Sequence, residues 1–215
     1  MAGGSIGVVF FQLGSLIGGG EFISQQRLNT YNIMIIRPLT IVDIPLYREL
    51  RLKALTRHPE AFGETVEHFK NSTVEQLSER LIALNKCGGF ILGAFEDENS
   101  LVGLVALSRE ESEKMLHRGK LWGMYVDPVV RAKGVGRMLV SQLLELAKQS
   151  SGLEQIHLSV VLTNEAAIKL YRSTGFEVYG TDPHALKVGE CFHDEYLMVR
   201  FLRASGGVVK YSEKA

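Results

Sequence analysis

Apolar positions along the chain follow two rhythms: short β-branched runs, and longer segments in which apolar residues recur every three or four positions. Residues 33–37 (IMIIR) are β-branched and are closed by Pro38, which cannot donate to a ladder, so they predict the first strand. Asp43 is placed to cap a helix in which Leu46, Leu50, Ala54 and Leu55 recur at helical spacing until His58-Pro59 breaks the pattern. Phe62-Gly63 predicts a loop. Residues 72–84 predict a second helix, with Thr73 and Gln76 as a capping box and Leu77, Leu81 and Leu84 on one side.

Residues 90–95 (FILGAF) and 101–108 (LVGLVALS), separated by the acidic stretch 96–100, predict an antiparallel hairpin. Residues 120–126 (KLWGMYV) predict another strand, stopped by Asp127-Pro128. Past a basic glycine loop, Val135, Met138, Leu139, Leu143, Leu146 and Ala147 stripe a helix over 135–148. A strand over 156–162, a helix over 165–174 ending at Gly175, extended chain over 176–179 and a last strand over 195–202 complete the pattern.

This organisation predicts one α/β (α+β) domain over 33–203, flanked by an extension at 1–32 and a small, polar, fraying tail at 204–215. Within the extension, residues 6–17 (IGVVFFQLGSLI) are apolar but too short to span a bilayer. The first basic residue, Arg27, follows that run instead of preceding it, which speaks against a secretory signal. The extension is therefore expected to lie outside the fold, with Met34 a second candidate start and a peripheral membrane anchor the rival reading.

Composition narrows the chemistry. With 46% hydrophobic and 22% charged residues the 215-residue chain is of ordinary globular type. Lys plus Arg equals Asp plus Glu at 24 each, so no global field favours nucleic acid or an anionic membrane, and any anion site is local. His58, His68, His117, His157, His184 and His193 show no metal-ligand spacing, so no metal is expected. Cys87 and Cys191 stand far apart and are expected as two buried structural thiols.

One local anion site is legible. Residues 130–137 (VRAKGVGR) lie between a strand and a helix, where glycines let the backbone approach a ligand and the first helical N–H groups lack intrahelical partners. Arg131, Lys133 and Arg137 add cations around that nest, which suits a diphosphate. No Lys-Ser/Thr follows the last glycine and the third glycine of a dinucleotide fingerprint is missing, so the loop is neither of those motifs. A second constellation, Asn164-x-x-Ala167-x-x-Leu170-Tyr171-x-x-x-Gly175-Phe176, follows the next strand.

Together the R-x-x-G-x-G loop and the N-x-x-A-x-x-L-Y-x-x-x-G-F run resemble motifs A and B of the GNAT N-acetyltransferase superfamily, and the resemblance covers roughly residues 33–203. It implies a mixed, mostly antiparallel central sheet with helices on both faces and a splay between the two central strands. It also implies acetyl-CoA as acyl donor, its pantetheine arm paired with the backbone of Met124, Tyr125 and Val126. The pyrophosphate would lie against Arg131, Ala132, Lys133, Gly134, Val135, Gly136 and Arg137, with Asn164 and Ala167 beside the cofactor. Tyr171 matches the family tyrosine near the sulfur, where a phenol can protonate the departing thiolate.

An attacking amine must be neutral, although a lysine-like amine titrates near about 10.4, so a proton acceptor or a water path is required. Glu64, Glu67, Asp194 and Glu195 are the candidates. Adjacent strand residues point to opposite faces, so only one of Asp194 and Glu195 faces the site, and Glu195 is carried as the base. The bland alternative leaves both on the rim, paired with Arg200 or Lys187. The expected function is acetyl transfer to a primary amine of a small molecule or protein by direct attack in a ternary complex; the alternative is a non-catalytic acyl-CoA-binding module. A cytoplasmic location is expected from the cofactor, not from any signal, and a monomer or homodimer from the strand edges such folds expose.

Overall fold

In a computed structural model the structure describes residues 34–202, so the expectations for 1–32 and 204–215 lie outside the described residues. Seven strands and five helices follow in chain order: β1 (Ile35–Pro38), α1 (Ile44–Arg57), α2 (Val66–Lys70), α3 (Val74–Lys86), β2 (Phe90–Asp97), β3 (Ser100–Arg109), β4 (Arg118–Val126), α4 (Val135–Gln149), β5 (Gln155–Val161), α5 (Glu165–Ser173), β6 (Glu177–Val188) and β7 (Cys191–Phe201). The strands form one sheet in the order β1-β2-β3-β4-β5-β7-β6. Only β4 and β5 run parallel; every other pairing is antiparallel.

The sheet is buried on both faces at β2 and β3, which explains the near-continuous apolar run of β3. Leu104 and Ala106 pack with Leu50, Leu55, Phe69 and Leu81 under α1–α3, while Val105 and Leu107 pack with Leu139, Leu143, Ile156 and Phe176 on the α4–α5 side. Helix α3 starts on the expected capping box: Gln76 N–H donates to Thr73 Oγ1 at 3.2 Å and Thr73 N–H donates to Gln76 Oε1 at 3.0 Å.

Four sequence expectations need correction. Asp43 stands at the N-cap of α1 but makes no capping bond. Its carboxylate instead accepts from both Nη groups of Arg37 at 2.7 Å and from the Thr40 N–H at 2.8 Å, because a nearby guanidinium outcompetes a helical amide. Helix α2 was not foreseen: five residues show no period, and it exists because Thr65 caps it and Phe69 is buried. Strand β6 extends far past residue 179, as an edge strand with two register breaks around Tyr179 and Pro183, positions where an edge tolerates proline. Cys87 and Cys191 are both exposed, since one closes α3 and the other opens β7.

Candidate functional site

The site begins where the central sheet comes apart. The β4–β5 ladder holds only from Arg118↔Gln155 to Lys120↔His157, after which β5 continues against β7 alone. Beyond Lys120 the backbone of β4 on that edge has no ladder partner, which is the expected splay. On its other edge β4 carries a bulge: Ala106 faces Trp122 and Leu104 faces Tyr125, so β4 spends one residue more than β3. Gly123 makes this possible at φ 67°.

Strand β4 ends at Val126, and the next residue, Asp127, accepts with its side chain from the Val129 N–H at 3.1 Å and starts the turn Pro128–Val130. Ala132 and Gly134 then take left-handed conformations, φ 63° and 79°, and α4 begins at Val135. Successive handed turns of this kind aim consecutive N–H groups inward. The two motif glycines do different work. A side chain at Gly134 would meet nothing within 4 Å, so only its φ demands glycine. A Cβ at Gly136 would lie 3.2 Å from Met124 Cε and 3.3 Å from Leu170 Cδ2, so its absence lets α4 approach β4 and α5.

These elements enclose a cleft of about 580 Å³, within the range of ligand sites. Met124, Tyr125, Val126, Arg131, Ala132, Gly134, Val135, Gly136, Arg137, Asn164 and Ala167 all line it, so eleven of the expected positions are brought together by the fold. Asn164 caps α5, its Oδ1 accepting from the Ala167 N–H at 3.2 Å. The cations are committed elsewhere. Arg131 donates Nε to the Val126 carbonyl at 3.0 Å and pairs Nη2 with His58 Nε2 at 3.2 Å; Arg137 reaches the Ser173 carbonyl at 3.4 Å; Lys133, which does not line the cleft, sits 3.9 Å from Glu96.

Tyr171 does not line the cleft. It is 5% exposed within the α4–α5 core, edge-on to Phe176 at 5.8 Å, and burial pushes its phenol well above the ordinary value. Glu195 is half-buried opposite Val161, a cleft residue, without lining the cleft itself. Asp194 accepts the His184 N–H at 2.8 Å and so organises the β6–β7 arm. Glu67 is exposed, and Glu64 is taken up by Arg51 and His68. The cleft also gathers Glu60, Ala61 and Phe62, from the segment that the family resemblance implies walls the acceptor pocket, and Leu170 of the second motif, together with His58, Val161 and Thr163, which the sequence reading left out. A glycine inside a strand was the available signal for the bulge; the others had none. Among the described residues no group of three or more His, Cys, Asp or Glu is placed to hold a metal, and no helix is long and apolar enough to cross a membrane.

The ladder-free edge of β4 thus runs into the glycine loop and first turn of α4, with the start of α5 on the facing wall of the same cleft. The chain belongs to the acetyltransferase (GNAT) family, whose profile matches residues 52–176, more than half of its length. It is 30% identical over 104 residues to the L-amino acid N-acetyltransferase AaaT of Escherichia coli, covering 48% of this chain and 63% of that protein. A ribosomal-protein-alanine N-acetyltransferase from Brucella melitensis superposes with a TM-score of 0.68 at 26% identity, over 78% of this chain and 99% of the other. The acetyltransferase YncA of Salmonella typhimurium, described as putative and solved with acetyl-CoA, superposes at 0.71 and 21% identity over 81% and 96%, a likeness of fold. The chain spans 19%, 63% and 38% of the lengths of three curated relatives it matches.

Proposed function

We propose that the chain moves the acetyl group of acetyl-CoA to a primary amine by direct attack within a ternary complex. The observation that carries this reading is the meeting, in one cleft, of the α4 amide nest, the ladder-free edge of β4 and the capped start of α5. The first N–H groups of α4 would hold the diphosphate, and Met124–Val126 would pair with the amides of the arm as an added strand would. Bound there, the coenzyme supplies an acyl group activated as a thioester; the rest falls to the chain.

The bulge at Gly123 takes backbone out of the β3 ladder, and an N–H so freed would steady the charge that grows on the thioester oxygen, a contribution of about 3–4 kcal/mol in comparable sites. Tyr171, though its ring packs behind the cleft wall, is assigned to the departing thiolate on the motif it shares with the family. Its raised pKa keeps the phenol protonated, but a thiol titrates near about 8.5, so full transfer runs uphill and the phenol acts chiefly as a hydrogen-bond donor. Glu195, one strand from the cleft wall, is assigned the proton of the amine; Glu60, which lines the cleft, is the carboxylate to set against it.

Isothermal titration with acetyl-CoA, followed by free-thiol release against a panel of amines, tests the reading. Micromolar binding with amine-dependent release supports it. Binding without release for any amine turns the assignment to a non-catalytic acyl-CoA-binding module, and absence of binding removes it altogether. A larger kcat loss in Glu60→Gln than in Glu195→Gln would transfer the base role to Glu60.

A further inference from the structure

Arg51 lies on the sheet-facing side of α1 with its side chain 5% exposed. A guanidinium keeps its charge and carries five N–H donors, and buried cations are normally paired. Here Nη2 alone has a partner, Glu64 Oε2 at 3.3 Å, while Nε and Nη1 are enclosed and bond to nothing. The Phe62 ring stacks 4.6 Å from the guanidinium carbon, which covers a face of the group and leaves its in-plane donors unmatched. Nη1 lies 3.8 Å from the Cβ position that Gly123 lacks, so this nitrogen sits beside the bulge of β4. Tyr125, on the same strand, buries a further unpartnered hydroxyl.

A buried charge with idle donors is a feature a fold keeps for a reason, and the Glu64 pair and the Phe62 stack leave Nε and Nη1 unaccounted for. The surroundings supply that reason. Phe62 and Tyr125 line the cleft, whereas Glu64 and Trp122 line a separate pocket of about 240 Å³ beneath α1–α3; Arg51 lines neither but touches Phe62 of the one and Glu64 of the other. A guanidinium fork matches the two oxygens of a carboxylate. The bulge is also where the reading above puts the reacting thioester, so a carboxylate on Arg51 leaves only a short covalent path to the attacking amine. A carboxylate on the same carbon as the amine meets that condition; a peptide N-terminus, which has an amide there, does not.

Resting on the acetyltransferase reading, we infer that the acceptor is a free α-amino acid whose carboxylate is bound by Arg51, with its side chain extending toward the pocket walled by Tyr47, Phe69, Leu77 and Trp122. Phe62, in the segment between α1 and α2, is the side chain that turns aside to admit it.

The test sets free amino acids against their amides, their decarboxylated amines and short peptides with the same first residue, using the full chain. The wild type should favour the amino acid by a hundredfold or more in kcat/KM, on the order expected when a buried donor set is left unmatched. In Arg51→Gln the preference should collapse toward unity while the acetyl-CoA Kd stays put, and Arg51→Lys should fall between. A second readout needs no turnover: the amino acid, but not its amide, should raise the melting temperature of the CoA-loaded protein. Equal turnover of acid and amide, a preference for peptides, or no such thermal shift together with no acid preference overturns the inference. Those outcomes leave the acetyltransferase reading standing; only failure of acetyl-CoA binding or of thiol release with every amine removes both.

Discussion

Residues one position apart take unlike parts in this site. Leu170 lines the cleft whereas Tyr171 packs behind it, because neighbouring helix positions are turned about 100° from each other. Replacing Tyr171 by Phe deletes one hydroxyl and keeps the ring that contacts Phe176. The expected result is a kcat lower by tenfold or more with little change in acetyl-CoA affinity, measured by steady-state kinetics beside calorimetry. Since burial raises the phenol above its ordinary value of about 10, its ionisation should impose no fall in rate between pH 7 and 10. Gly136 acts through space: Gly136→Val would drive a branched side chain against Met124 and Leu170 and spread the cleft's walls. Its acetyl-CoA Kd should rise at least tenfold, with Gly134→Ala, whose cost is backbone strain alone, affected less.

Between elements, the Arg37–Asp43 pair ties β1 to the start of α1. Arg37 holds the Asp43 carboxyl below the usual carboxylate range, helped by the Thr40 N–H and hydroxyl against the opposing effect of burial. A folded pKa that is depressed contributes stability above the unfolded value of about 3.9 and loses it as pH falls through the folded one. Asp43→Asn should therefore cost about 1–3 kcal/mol at pH 7 by denaturant titration, and the gap to wild type should narrow progressively as pH falls below the unfolded value of about 3.9. A constant gap across pH would deny the carboxylate that role. The same scale shows why some elements escaped sequence reading. Helix α3 advertised itself through Thr73, Gln76 and a leucine stripe, whereas α2 is held by the burial of one residue, Phe69, which no local pattern announces.

Across the whole molecule, the two halves of the sheet share one short parallel ladder, yet one apolar cluster runs beneath both, from Leu92 and Leu107 to Leu158 and Met198. A ligand seated in the splay touches both halves and binds only the folded chain. At a hundred times its Kd, acetyl-CoA should add about 2.7 kcal/mol of stability, a melting shift of about 5–10 °C in a domain of this size. No shift at that excess would mean that the coenzyme does not bind the folded cleft.

The sequence by itself determined the order of most elements and the place of the glycine loop between β4 and α4, because these depend on spacing along the chain and on backbone chemistry within a few residues. Glycine at 123 could mark a bulge, but not that the bulge opens toward Arg51. Tertiary structure alone decided that Tyr171 is enclosed, that Arg131 turns back to Val126 and His58, and that Arg51 is buried with idle donors. Each of those outcomes is a meeting of side chains far apart in sequence, set by packing across two faces of a sheet, and no local pattern encodes it.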